Sequence, residues 1–233
     1  MKTKLTKSEL SWILYDVGNS AFILLIATTI PIFFRSLATS AGISDAQATG
    51  LWATVTAIAV FILALCSPIL GALADYKGMK KKIFSLSLLL GVLGLLALSI
   101  TTDWLAFLIL FVIARLGYSA CNIFYDSMLI DITTNDRMDM VSSHGYAWGY
   151  IGSCIPFIIG IVLIFTKPFG IGAALATQIS FLLTAIWWIG MTIPLLKNVK
   201  QNYYLEDRKD KLSDSFSRLG KTFTKIKKDK KLL

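Results

Sequence analysis

Apolar residues in this chain run in long blocks, without strict alternation and without confinement to one helical face. Six such stretches fall at about residues 12–34, 49–73, 83–101, 104–128, 144–166 and 171–196. Each is long enough to cross a bilayer as a helix, which takes roughly 20 apolar residues. A core helix of a soluble protein is shorter and keeps a polar face, and a membrane β-barrel needs alternating segments of roughly ten residues. The pattern therefore predicts an all-α polytopic membrane protein with six transmembrane helices in residues 1–196 and a separate polar segment at 197–233.

Composition agrees: 55% of the residues are hydrophobic and only 16% charged. The net charge of +9 would suit nucleic acid or an anionic membrane surface, so the placement of the 23 Lys and Arg residues decides. Lys2, Lys4 and Lys7 precede the first stretch, Lys77, Lys80, Lys81 and Lys82 lie between the second and third, and Arg137 lies between the fourth and fifth. The intervening connections hold only Arg35 and Lys167, and twelve further cations follow Leu196. Cations favour cytoplasmic loops, so both termini are predicted on the cytoplasmic side of a membrane, expected to be the plasma membrane. The charge then reports orientation, with the lipid bilayer as partner and no nucleic acid.

A cleaved signal peptide in residues 1–40 is a weaker reading, because the first apolar run is too long for one and holds Asp16 and Asn19. The cysteines Cys66, Cys121 and Cys154 all fall inside spans, which fits neither a disulfide framework nor a metal site. After Leu196, Leu212, Phe216, Leu219, Phe223 and Ile226 recur at helical spacing among Ser, Lys and Arg. This predicts a cytoplasmic amphipathic basic helix that lies on the anionic leaflet.

Ionisable groups inside a span are expensive and mark bundle interiors or wet cavities. Arg115, Ser119, Asn122 and Asp126 form one stripe on the fourth span, and Asp16, Asn19 and Ser20 form a smaller one on the first. Asp16, Asn19, Arg115, Asn122 and Asp126 are the candidates for a solute path, with Asp16 a candidate proton carrier. A structural Arg and Asp on the fourth span, and an interfacial acid at position 16, are the competing readings. On the fifth span Gly145, Gly149, Gly152, Pro156 and Gly160 share a face, which reads as close helix packing with a proline able to bend the helix.

The second and third spans are joined by Gly71-Ala72-Leu73-Ala74-Asp75-Tyr76-Lys77-Gly78-Met79-Lys80-Lys81-Lys82. In this order Gly71, Asp75, Lys77, Gly78, Lys80 and Lys81 resemble the cytoplasmic gating loop of the major facilitator superfamily, with Tyr76 and Met79 where basic residues are common. The stretches 11–22, 124–132 and 142–153 are similar to signatures of its vacuole-effluxer-like branch, with Asp126 and Ile130 as departures. The resemblance implies the N-terminal half of a twelve-span fold, built from two inverted three-helix repeats with the first and fourth helices lining a cavity. It also implies secondary active transport of small solutes, amino acids among them, with a C-terminal half or a second copy as partner.

An enzyme is not expected, since no His-Glu-His spacing, paired cysteines or nucleophile elbow is present, and no cofactor or metal is implied. The alternatives are a non-transporting scaffold or regulatory half-transporter, or a six-span unit that works only as a dimer. The orientation has a direct check: a reporter enzyme fused ahead of Met1 stays inside the cell, and activity outside it refutes the topology.

Overall fold

The computed structural model describes residues 4–206 and Ser217. The amphipathic helix expected at 212–226 lies, apart from Ser217, outside the described residues. The α-helices in order are α1 (Lys7–Ala27), α2 (Thr29–Ser40), α3 (Asp45–Ala74), α4 (Met79–Leu98), α5 (Trp104–Ser127), α6 (Leu129–Ile132), α7 (Met138–Thr166) and α8 (Ala173–Asn198). Six helical segments are long and apolar enough to span a membrane, with α1 and α2 together forming the first, Lys7–Ser40.

α1 and α3 start about one turn before their apolar blocks, because polar caps and not hydropathy set their beginnings. Thr6 and Glu9 make a reciprocal capping box on α1, Ser44 and Gln47 do the same on α3, and Asp103 caps α5. The first span is also broken where the hydropathy is continuous. Pro31 cannot donate an N–H to Ala27, and its ring would strike that carbonyl, so α1 ends at Ala27 and Thr28 leaves helical geometry at φ −130°, ψ −75°. In the new helix Pro31 falls in the first turn, where its missing donor costs nothing.

The packing has an internal symmetry. The first span (α1) packs on the fifth and sixth (α7 and α8), and the fourth (α5) packs on the second and third (α3 and α4). The leading helix of each set of three thus packs on the two trailing helices of the other set. Because three spans invert the direction of the fourth relative to the first, this is the arrangement that two inverted repeats require.

Small residues allow the closest approaches. At Gly117 of α5 a side chain would run into the backbone of Gly91 on α4, and at Gly94 the facing group is the Ala114 backbone at 2.8 Å. An aromatic cluster binds three spans: Phe22 of α1 stacks on Trp188 of α8 at 5.5 Å and meets Tyr118 of α5 edge-on at 5.2 Å. Lipids cannot supply hydrophobic drive between helices, so these contacts carry the association.

Gly117→Ala should therefore destabilise the bundle by about 1–3 kcal/mol, since only backbone can move to admit the methyl group. Gly50→Ala, in open space on α3, should be neutral or stabilising by up to about 1 kcal/mol. Thermal unfolding of the two variants in detergent checks the contrast, and equal losses would contradict the packing.

Candidate functional site

A concavity with a polar lining lies between α1, α5 and α7 and has a volume of about 480 Å³. The first span supplies Trp12, Asp16, Asn19, Ser20 and Ile23, which recur every three or four residues and so share one face. The fourth span supplies Tyr118, Asn122, Tyr125 and Asp126, and the fifth adds Ser142, Tyr146 and Tyr150. The two stripes meet through a hydrogen bond in which Asn19 Nδ2 donates to Asn122 Oδ1 at 2.8 Å.

The glycine face of α7 gives this wall its depth. A methyl group at Gly149 would stand 2.9 Å from Asp16 Oδ2 and 3.0 Å from Ser20 Oγ, and one at Gly145 would meet the Trp12 ring at 2.8 Å. At Gly152 it would run into Val17, and at Gly160 into Ser180 of α8 at 2.7 Å. The same absence of side chains that lets α7 approach α1 leaves the space that Asp16 and Ser20 occupy. Pro156 is buried within α7, which continues through it as helix to Thr166.

Sequence alone placed Arg115 on the stripe with Asn122 and Asp126, and the structure separates them. Asn122 and Asp126 line the cavity, whereas Arg115 and Ser119 do not. Arg115 sits almost one turn beyond Tyr118, with its guanidinium carbon 5.6 Å from the Tyr118 ring centroid and with Nε and Nη1 buried without a partner. The Phe22, Tyr118 and Trp188 rings occupy that level of the bundle. The aromatic members of the cavity wall were missed by a search for intramembrane charge. Their signal was there: Tyr118 and Tyr125 flank Asn122 on α5, and Tyr146 and Tyr150 are one turn apart on α7.

A second polar cluster sits at the end of the bundle that carries the basic loop. Gly78 adopts φ 71° between α3 and α4, a left-handed turn that glycine makes without strain. Lys80, the second residue of α4, is buried and donates to Asp131 Oδ2 at 2.6 Å and to the Ser127 carbonyl at 2.9 Å. Asp131 Oδ1 accepts the backbone N–H groups of Asn202 at 2.8 Å and Tyr203 at 3.0 Å. Lys81 donates to the Val199 carbonyl at 3.0 Å, Lys77 lies over the Tyr204 ring at 5.2 Å, and the Asp75 carbonyl accepts from Leu205 N–H at 2.8 Å. Gly71 faces open space on α3. The loop thus holds the chain after α8 as an extended strap, bridged in parallel at Tyr76 and Leu205.

Beside it, Glu9 is 1% exposed and receives Arg137 Nη2 at 2.8 Å, Arg137 Nε at 2.9 Å and Thr133 Oγ1 at 2.7 Å, tying the start of α1 to the connection before α7. The charged groups Lys80 and Asp131 in one cluster, and Glu9 and Arg137 in the other, are ion-paired, which offsets the cost of burying them. Among the described residues no group of His, Cys, Asp and Glu could hold a metal ion.

Residues 44–233 match the family described as "Vacuole effluxer Atg22 like". The chain belongs to this family, a branch of the major facilitator superfamily of membrane transporters. It is 42% identical over 235 aligned positions to a protein of Bacillus subtilis (strain 168) named "Uncharacterized MFS-type transporter YxiO", covering 97% of this chain and 54% of that one. It is 30% identical over 164 positions to an uncharacterized protein of Aquifex aeolicus (strain VF5), covering 68% of this chain and 40% of the relative. The chain spans about half the length of the curated relatives it matches. The six spans are consistent with the N-terminal six-helix half of the superfamily fold.

Asp131→Ala leaves the Lys80 ammonium buried without its counter-ion and frees two strap amides, a loss of about 3–5 kcal/mol. Hydrogen exchange at Asn202 and Tyr203 should quicken more than exchange in the spans. Unchanged protection of those amides would show that Asp131 does not hold the strap.

Proposed function

We propose that the chain is the N-terminal half of a secondary active transporter of small solutes, inserted in the plasma membrane with both termini cytoplasmic. The observation that carries this is the cavity itself, in which polar residues of the first and fourth spans converge between helices long and apolar enough to cross a membrane. A bilayer tolerates carboxylates at such positions chiefly where they face a wet path or a ligand. Asp126, Tyr146 and Tyr150 are exposed on the open side of the cavity, where a second six-helix half would close it. Superfamily sites lie between two such halves.

The driving force fits an ion or solute gradient, with Asp16 as the group that exchanges a proton. Amino acids are the solute class implied by the family resemblance. Membership of a transporter family, more than any missing motif, argues against an enzyme.

The test is a solute panel in proteoliposomes with and without a pH gradient, run on this chain and on a protein that includes a second half. Uptake is expected from the two-half protein, stimulated by the gradient. Asp16→Asn should reduce the stimulated uptake roughly tenfold or more, as expected from the loss of one charged contact. Gradient-stimulated uptake by Asp16→Asn at the unmodified rate would remove Asp16 from the mechanism. Absence of uptake across the panel in both proteins would sink the transporter reading.

A further inference from the structure

We propose that the cavity between α1, α5 and α7 recognises an organic ammonium ion, which makes net-cationic amines the favoured solute class; this rests on the transporter reading and adds the chemistry of the solute. Charge is the first argument. Asp16 and Asp126 both line the cavity, and among the described residues no Lys, Arg or His does. Neither carboxylate is in an ion pair among the described residues, and the hydrogen bond to Asp16 is a long one from Ser20 Oγ at 3.5 Å. An anionic solute would meet two like charges there. A neutral polyol would leave them uncompensated in a setting of low dielectric.

The second argument is independent of the carboxylates. Asn19 is 4% exposed and lies on the cavity wall. Its amide nitrogen is used on Asn122, while its Oδ1 is buried with no donor. Tyr125 Oη, on the same wall, is also buried without a partner. A buried acceptor left unpaired costs about 1–3 kcal/mol, and its uncompensated negative dipole beside the cavity favours a cationic occupant.

The third argument is the rings. Trp12 stacks on Tyr125 at 4.1 Å, and Tyr146 and Tyr150 of α7 line the same cavity. Tyr118 also lines the cavity but already has the Arg115 guanidinium beside its ring. Trp12 and Tyr125 are largely buried by their own stacking, so the exposed Tyr146 and Tyr150 are the rings that offer negative faces to an alkylammonium beside the two carboxylates. A zwitterionic amino acid fits at its amino end, but its carboxylate finds no cation on this wall. A volume of about 480 Å³ admits a small amine with room for its side chain.

The experiment measures binding to this chain in lipid nanodiscs, by calorimetry and by the fluorescence of Trp12 and its neighbours. The probes are choline, dimethylbutanol as its uncharged carbon isostere, and leucine as a zwitterion. Choline should bind saturably, with both other probes weaker by roughly tenfold or more. Asp16→Asn should weaken choline roughly tenfold, and Tyr150→Leu should weaken choline while leaving dimethylbutanol unchanged. Asp126→Asn, at an exposed position where folding is not at stake, should act in the same direction as Asp16→Asn.

Equal binding of choline and dimethylbutanol, tighter binding of leucine, no choline binding, or unchanged choline affinity in both Asn variants would each overturn the proposal. The two readings fail separately. Selective choline binding without uptake of any solute by the two-half protein refutes transport alone. Uptake of neutral or zwitterionic solutes, with no choline binding here, refutes the ammonium site alone.

Discussion

The close approach of α1 to α7 and α8 is the contact on which the rest of the bundle depends. It is made where side chains are missing: Gly152 of α7 receives Val17, and Gly18 of α1 lies so near α8 that a methyl group there would be 2.8 Å from Met191 Cβ. In lipid no hydrophobic force drives helices together, so dispersion between closely apposed backbones must do so. Once Val17 and Gly18 are fixed against α7 and α8, helical geometry sets Asp16 and Ser20 beside Gly149 of α7 and Asn19 on Asn122 of α5, around the cavity. The packing glycines and the polar stripe are two faces of one constraint.

The symmetry of the packing extends this to the other set of three helices. Gly117 against Gly91 does for α5 and α4 what Gly18 does for α1 and α8. The leading helix of each set is thereby held at the centre, with its polar face free. That is why Asn19 and Asn122, 103 positions apart in the chain, form a hydrogen bond between equivalent spans. The pair marks where the two repeats meet.

Much of this was legible in the sequence, because a bilayer imposes rules of length and cost that a single chain must obey. Six spans and the carboxylates of α1 and α5 followed from hydropathy and from the expense of intramembrane charge, and the loop motif from a family resemblance. The break at Thr28 was masked because Thr29-Ile30-Pro31-Ile32 is apolar, and hydropathy does not register a missing N–H. Asp131 was hidden for a different reason. Its partners are Lys80, 51 positions away, and the amides of Asn202 and Tyr203, 71 and 72 positions away. No local spacing reports such a meeting. The division of the α5 stripe depends on where rings from three helices crowd together, which is also a tertiary fact.

The state of hydrogen bonding separates the two polar clusters. At the basic end, each Glu9 oxygen accepts two hydrogen bonds, and Asp131 accepts one at Oδ2 and two at Oδ1. Groups so fully paired hold loops in place and have little capacity left for a ligand. In the cavity the balance is reversed. Asn19 Oδ1 and Tyr125 Oη are buried and unpaired, and the two carboxylates stand without cations. A folded protein keeps unpaired buried polar atoms at a cost, and others lie away from the cavity at Tyr15, Thr56, Trp188 and Gln201, so what marks this wall is the pair of carboxylates without a cation. Arg115 shows the converse imbalance, with two unpaired donors just beyond the ring cluster. Arg115 lies outside the cavity lining and forms no ion pair with Asp16 or Asp126 among the described residues, which leaves the cavity wall negative.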